Sequence, residues 1–180
     1  ARTLNIAHRG ACSLAPENTL AAARKAYQIG ADLWELDVCL TRDGEMNLLH
    51  DDTLERTSNA AEVYPERAPW NVTDFTMEEI RKLDFGSWFN LKDPFNQIDL
   101  GNVSESEQYC YQGEPSPTLR EALQFTKEHQ WKVNVEIKDL VGTVGHDVIV
   151  ERVVELICEM RMQKEVLISS FNHDYLARVK

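Results

Sequence analysis

Two hydrophobic periods alternate along this chain, and the switches between them mark its elements. Leu4 to His8 is short and apolar-rich, as expected of a strand. Pro16-Glu17-Asn18-Thr19 is a helix-start signal, and Ala and Leu recur at helical spacing from Thr19 to Ile29 until Gly30 ends the run. Leu33 to Leu40 alternates with period two, Thr41-Arg42-Asp43-Gly44 reads as a turn, and Met46 to His50 reads as a third strand. Regular patterning then lapses from Asp51 to Pro117, a stretch that holds five of the six prolines and an aromatic-rich segment, Phe85-Gly86-Ser87-Trp88-Phe89. Only Thr76 to Leu83 stands out there as a helix, because Thr76 and Glu79 have the spacing of a capping box. Six aromatics of this stretch, Trp70, Phe75, Phe85, Trp88, Phe89 and Phe95, are expected to form a small core of its own. Beyond it the pattern predicts a helix over 118–129, a strand over 132–138, a helix over 146–162, a strand over 166–171 and a last helix capped by Asn172.

Strands that alternate with helices imply an α/β protein with a parallel sheet. An open doubly wound sheet and a (β/α)8 barrel both fit five strands. The doubly wound form is weakened because no Gly-rich phosphate loop follows any strand. A barrel needs about 250 residues, so the 180 residues here would represent its first five strands only.

Alternation also fixes which side chains share a face. In Leu33-Trp34-Glu35-Leu36-Asp37-Val38, Trp34, Leu36 and Val38 form the apolar face and Glu35 and Asp37 the other. In Val133-Asn134-Val135-Glu136-Ile137-Lys138 the arrangement repeats, which adds Glu136 and a cation, Lys138. Carboxylates crowded into a poorly solvated interior need a proton, a basic partner or a metal ion. Oxygen ligands of this kind suit Mg2+ or Ca2+. His8 and His50 close two of the strands, and His8 is followed by Arg9 and His50 by Asp51. Together these residues define a candidate phosphodiesterase site. Glu35, Asp37 and Glu136 would hold the cation, Arg9 and Lys138 would neutralise phosphate oxygens, and the two histidines would act as general acid and base.

Composition narrows the partners. A net charge of −11 and a pI near 4.9 argue against nucleic acid, whose backbone is bound by a basic face. No run approaches the roughly 18 apolar residues of a membrane span. Cys12, Cys39, Cys110 and Cys158 show no paired spacing. With no leader-like segment at the start of the chain, a cytoplasmic location is the expectation.

Several segments occur in a recognisable order: Ala7-His8-Arg9-Gly10, Pro16-Glu17-Asn18-Thr19, Glu35-Leu36-Asp37-Val38, His50-Asp51-Asp52-Thr53-Leu54-Glu55-Arg56-Thr57 and Glu136-Ile137-Lys138. Pro117-Thr118-Leu119 and Ser169-Ser170-Phe171 extend the series. The ordered set resembles the glycerophosphodiester phosphodiesterase family. The resemblance implies a (β/α)8 barrel domain over residues 1–180, incomplete at its C-terminal end, with an insertion of about residues 52–116 after the third strand. It implies hydrolysis of small glycerophosphodiesters to glycerol 3-phosphate and an alcohol. It also implies His8 and His50 as the acid–base pair, Glu35, Asp37 and Glu136 as ligands of one divalent cation, Mg2+ or Ca2+, and Arg9 and Lys138 near the phosphate. Glu17, Asn18 and Asp51 are implied as supporting residues. Direct attack by water and a route through a cyclic phosphate both remain open, as does which histidine is the acid. Two alternatives stand beside this one. The first is a lysophospholipase D-like activity, with the insertion's aromatics as an apolar entrance. The second is a non-catalytic binding module on the same scaffold.

Overall fold

A computed structural model describes residues 2–179. Among these the elements run β1 (Ile6–Ala7), α1 (Leu20–Gln28), β2 (Leu33–Leu40), β3 (Met46–Leu48), α2 (Ala60–Val63), α3 (Met77–Ile80), α4 (Ser87–Lys92), α5 (Glu105–Tyr111), α6 (Leu119–Glu128), β4 (Val133–Ile137), α7 (Ile149–Glu159), β5 (Val166–Ser169) and α8 (His173–Arg178). β1, β2, β4 and β5 lie side by side in that order, and every pairing among them is parallel. The helices between them begin at side-chain caps where the sequence supplies one. Thr19 accepts a hydrogen bond from the Ala22 N–H, and Thr118 and Glu121 form a reciprocal capping box.

One strand departs from the all-parallel expectation. β3 runs antiparallel to β2, with Val38 opposite Leu48 and Leu40 opposite Met46. The cause is the length of the connection: only residues 41–45 separate the two strands. A crossover to a parallel neighbour needs a dozen residues or more, whereas a hairpin needs a few. β4 occupies one edge of β2, so β1 and β3 share the other, β1 beside its start and β3 beside its end.

The apolar face of β2 is the floor of the core. Trp34, Leu36 and Val38 are fully buried, and so are Val133, Val135 and Ile137 of β4. Trp34 satisfies its indole N–H by donating to Thr126 Oγ1 of α6 at 2.9 Å, which ties the helix layer to the sheet.

The aromatics of the segment between β3 and α6 divide between the main core and a second, smaller cluster that the segment forms together with residues of and before α1. Phe75 and Phe85 join the main core, and Trp88 and Phe89 pack with Tyr111 against Ala15, Ala21 and Ala22 beside α1. Its helices are also more numerous and shorter than predicted. The helix that begins at the Thr76 capping box stops at Ile80, and α5 starts at a second capping box, Ser104 with Glu107, inside a stretch too polar to suggest a buried face.

Candidate active site

The site begins with register. Asp37 pairs with Glu136 and Glu35 with Asn134 across the parallel β2–β4 ladder, so all four side chains stand on one face of the sheet. One oxygen from each of Glu35, Asp37 and Glu136 lies within 4.8 Å of the others. Asp37 is 1% exposed and Glu35 5%. Burial, with the charges of Asp37 and Glu136 beside it, pushes the Glu35 carboxyl up to about 7.

The chain after β1 wraps around this cluster. Arg9 and Gly10 both take positive φ, 55° and 78°. The resulting turn directs the Arg9 backbone N–H onto Glu35 Oε2 at 2.8 Å. Only glycine fits the next position, because a Cβ on Gly10 would stand 2.6 Å from the Ala22 backbone. The Arg9 side chain donates to Glu17 at 3.1 Å and places its Nε 3.5 Å from Asp37, close enough for ion pairing but outside hydrogen-bond geometry. Asn18, also at positive φ, latches Asp37 twice: its amide donates to Asp37 Oδ2 at 2.9 Å, and its carbonyl accepts the Asp37 N–H at 3.0 Å. Lys138, just past β4, sets its Nζ 3.8 Å from Asp37 and 3.7 Å from Glu136.

The two histidines follow different strands. His8 follows β1 and stands 3.9 Å from Glu35, with 65% of its side chain exposed. His50 follows β3, and because β3 is antiparallel it does not sit at a parallel strand's carboxyl end as the sequence suggested. The hydrogen bond from Leu49 N–H to the Asp37 carbonyl brings that strand's end level with Asp37. Asp51 accepts from His50 Nδ1 at 2.7 Å.

Arg56 is the residue that sequence reasoning left without a role. Leu54, fully buried, anchors the loop after β3, and Arg56 turns back from it. Its Nε and Nη2 donate to Asp51 at 2.6 and 2.9 Å, and its Nη1 and Nη2 donate to Glu17 at 2.9 and 2.7 Å. The Arg56 guanidinium holds the Asp51 carboxyl down at about 2, and together with Arg9 it also lowers Glu17 against the cost of burial. The only early signal was its place in the His50–Thr57 segment. Its second partner, 39 residues away, was invisible to local pattern.

The donor set fits a hard cation. Three carboxylates converge, and Glu35 Oε1 is buried with no hydrogen-bond partner. Oxygen–metal distances of about 2.0–2.6 Å would let one ion span such a cluster. Two further buried polar atoms, Asn134 Oδ1 and Ser169 Oγ, lack partners, and their residues lie beside Glu35 and Glu136 in the ladder.

This arrangement defines a class: an α/β chain that gathers carboxylates and basic side chains on one face of a largely parallel sheet, with histidines that follow two of its strands. Known proteins make the assignment specific. Residues 8–180 match the model of the glycerophosphoryl diester phosphodiesterase family, and the chain belongs to that family. It is 40% identical over 179 residues to a glycerophosphodiester phosphodiesterase of Caldanaerobacter subterraneus, covering 99% of this chain and 62% of that protein. It is 32% identical to a Bacillus subtilis enzyme of the same name, covering 55% of it. Among solved structures, a phosphodiesterase from Oleispira antarctica in complex with the product sn-glycerol-3-phosphate superimposes with a TM-score of 0.76 at 31% identity, over 97% of this chain and 60% of that one. A glycerophosphodiester phosphodiesterase from Agrobacterium tumefaciens gives 0.74 at 29%, over 99% and 62%. The fold is thus of the (β/α)8 barrel class, but four of the expected five strands, β1, β2, β4 and β5, are parallel as such a barrel requires, β3 being an antiparallel addition at the edge of β2. The chain spans about 55–62% of these four relatives. No helix among the described residues is long and apolar enough to cross a membrane.

Proposed function

We propose that this protein is a metal-dependent phosphodiesterase that hydrolyses glycerophosphodiesters to sn-glycerol 3-phosphate and an alcohol. The observation that carries the reading is the convergence of Glu35, Asp37 and Glu136 within 4.8 Å, with one buried oxygen left unpartnered and with His8 3.9 Å from Glu35. In this reading those three carboxylates hold one divalent cation, Mg2+ or Ca2+. When bound, the cation would offset negative charge on the phosphate oxygens. Arg9 and Lys138 supply further positive charge where the phosphate would lie. One histidine accepts the proton of the attacking hydroxyl and the other donates a proton to the leaving alkoxide, so one P–O bond forms as one breaks and the proton lost by the nucleophile is matched by one gained by the leaving group. With water as nucleophile this gives glycerol 3-phosphate directly, and with the glycerol hydroxyl it gives a cyclic phosphate that water opens in a second such step. Asn18 fixes the Asp37 carboxylate. Residues 52–116 are read as an insertion in the barrel that supplies Arg56 and walls one side of the site.

The lysophospholipid alternative has less behind it. Of the six aromatics, Phe75, Phe85, Trp88 and Phe89 are buried in the fold and do not line an apolar entrance, which leaves only the half-buried Trp70 and the exposed Phe95. The deciding assay uses the full-length protein with glycerophosphocholine or lysophosphatidylcholine, with and without Mg2+ or Ca2+. Metal-dependent release of glycerol 3-phosphate from the first substrate is expected. Choline release from the second would favour the alternative. A folded, metal-loaded protein that turns over neither would be a binding module.

A further inference from the structure

Five charged or ionisable side chains form one continuous chain around the site: Arg9, Glu17, Arg56, Asp51 and His50. Each neighbouring pair is joined by at least one hydrogen bond of 2.6–3.1 Å. Arg56 is its centre. Its guanidinium is forked on both edges, one carboxylate to each, a geometry that a planar five-donor group makes and an ammonium does not. The Trp88 ring lies 6.0 Å from its Cζ, on the side where the insertion packs.

The consequence falls on His50. A carboxylate accepts hydrogen bonds and does not donate them, so Asp51, which stays ionised, accepts a hydrogen bond from the Nδ1–H of His50, and the proton stays on the ring. In the neutral ring the lone pair is then on Nε2. Asp51 orients the ring only while its own carboxylate is held, and Arg56 is what holds it.

We propose that Arg56 is a positioning residue for His50, acting through Asp51 to fix the ring's tautomer and direction, with Glu17 locking the guanidinium from its other edge. This rests on the phosphodiesterase reading for His50 as an acid–base group. The link from Arg56 to the imidazole is independent of that reading.

The test is Arg56→Lys in the full-length, metal-loaded protein, with Asp51→Asn as a second variant should the first fold poorly. For Arg56→Lys, kcat on glycerophosphocholine is expected to fall about 10–100-fold, the usual size for losing a partner that orients an active-site group. KM and metal affinity should change far less. The double variant should be no worse than the poorer single one, because both act through one path. Nitrogen-15 NMR of the His50 ring gives the readout that loop stability alone would not move. The wild type should show a single tautomer with a strongly hydrogen-bonded Nδ1–H, and Arg56→Lys should lose that signal. Unchanged kcat, or a fall in kcat with the Nδ1 signal intact, overturns the proposal. If the wild type turns over no diester, the phosphodiesterase reading fails, and the NMR comparison still decides whether Arg56 holds His50.

Discussion

Asp37 shows how a single carboxylate is accommodated in the interior. It is 1% exposed, and an unpaired charge there would be costly. Asn18 meets it with two hydrogen bonds, while Arg9 and Lys138 stand at 3.5 and 3.8 Å. Glu35 is less well served, with one backbone N–H and an orphaned oxygen. The proposed function gives the acidic residues and the histidines different roles, and the difference is measurable. Asp37→Ala is expected to weaken metal binding first, by calorimetry, with activity falling as a result. His50→Ala should lower the rate by roughly 10²–10⁴-fold, the usual share of a general acid or base, and leave metal affinity nearly intact. If His50→Ala loses the metal instead, the histidine belongs among the ligands. Residue types and spacing made the shared placement of Glu35, Asp37 and Glu136 legible from sequence, because strand alternation turns spacing into a shared face. The histidines stood out only as residues closing strands, and the antiparallel run of β3 into His50 was not legible. Arg56 was not legible, since no periodicity links it to Glu17.

At the scale of elements, the site depends on β1 and α1 approaching closely. The turn after β1 passes so near α1 that a Cβ on Gly10 would meet Ala22 Cβ at 2.6 Å and its carbonyl oxygen at 2.9 Å. Gly10→Ala must therefore displace either the helix or the turn that delivers the Arg9 N–H to Glu35. The expected cost is about 2 kcal/mol or more from steric overlap and positive φ together, read from urea unfolding, with a parallel loss of metal affinity. Gly142→Ala separates the two causes: its φ is +87° but nothing lies within 4 Å, so it should cost about 1 kcal/mol and spare the site. Element order was readable here because capping signals and periods reinforced each other at α1, β2, α6 and β4. The direction of β3 lay in the length of one connection rather than in its own residues. α4 and α5 escaped because their buried residues, Trp88, Phe89 and Tyr111, pack on α1, far away in sequence. A helix only six or seven residues long shows too few turns to declare its period.

For the molecule as a whole, the net charge of −11 conceals local order in which acids and bases alternate around the site. That order makes stability depend on pH in a defined direction. The folded Asp51 carboxyl titrates at about 2, against about 3.9 in an unfolded chain. Between these values the unfolded state binds more protons than the native one, so acid favours unfolding. The contribution of Asp51 is therefore complete above pH 4 to 5 and is lost as pH falls toward 2. A shift of this size corresponds to about 1–2 kcal/mol once solvent screening of a side chain 28% exposed is allowed for. Asp51→Asn removes the titrating group and keeps the shape. Urea unfolding of both proteins from pH 6 down to pH 2, with chelator present so that the metal cluster affects both alike, should give a stability gap at pH 6 that closes toward pH 2. A gap that stays constant across that range would mean that the Asp51–Arg56 pair contributes packing but no charge-dependent stability.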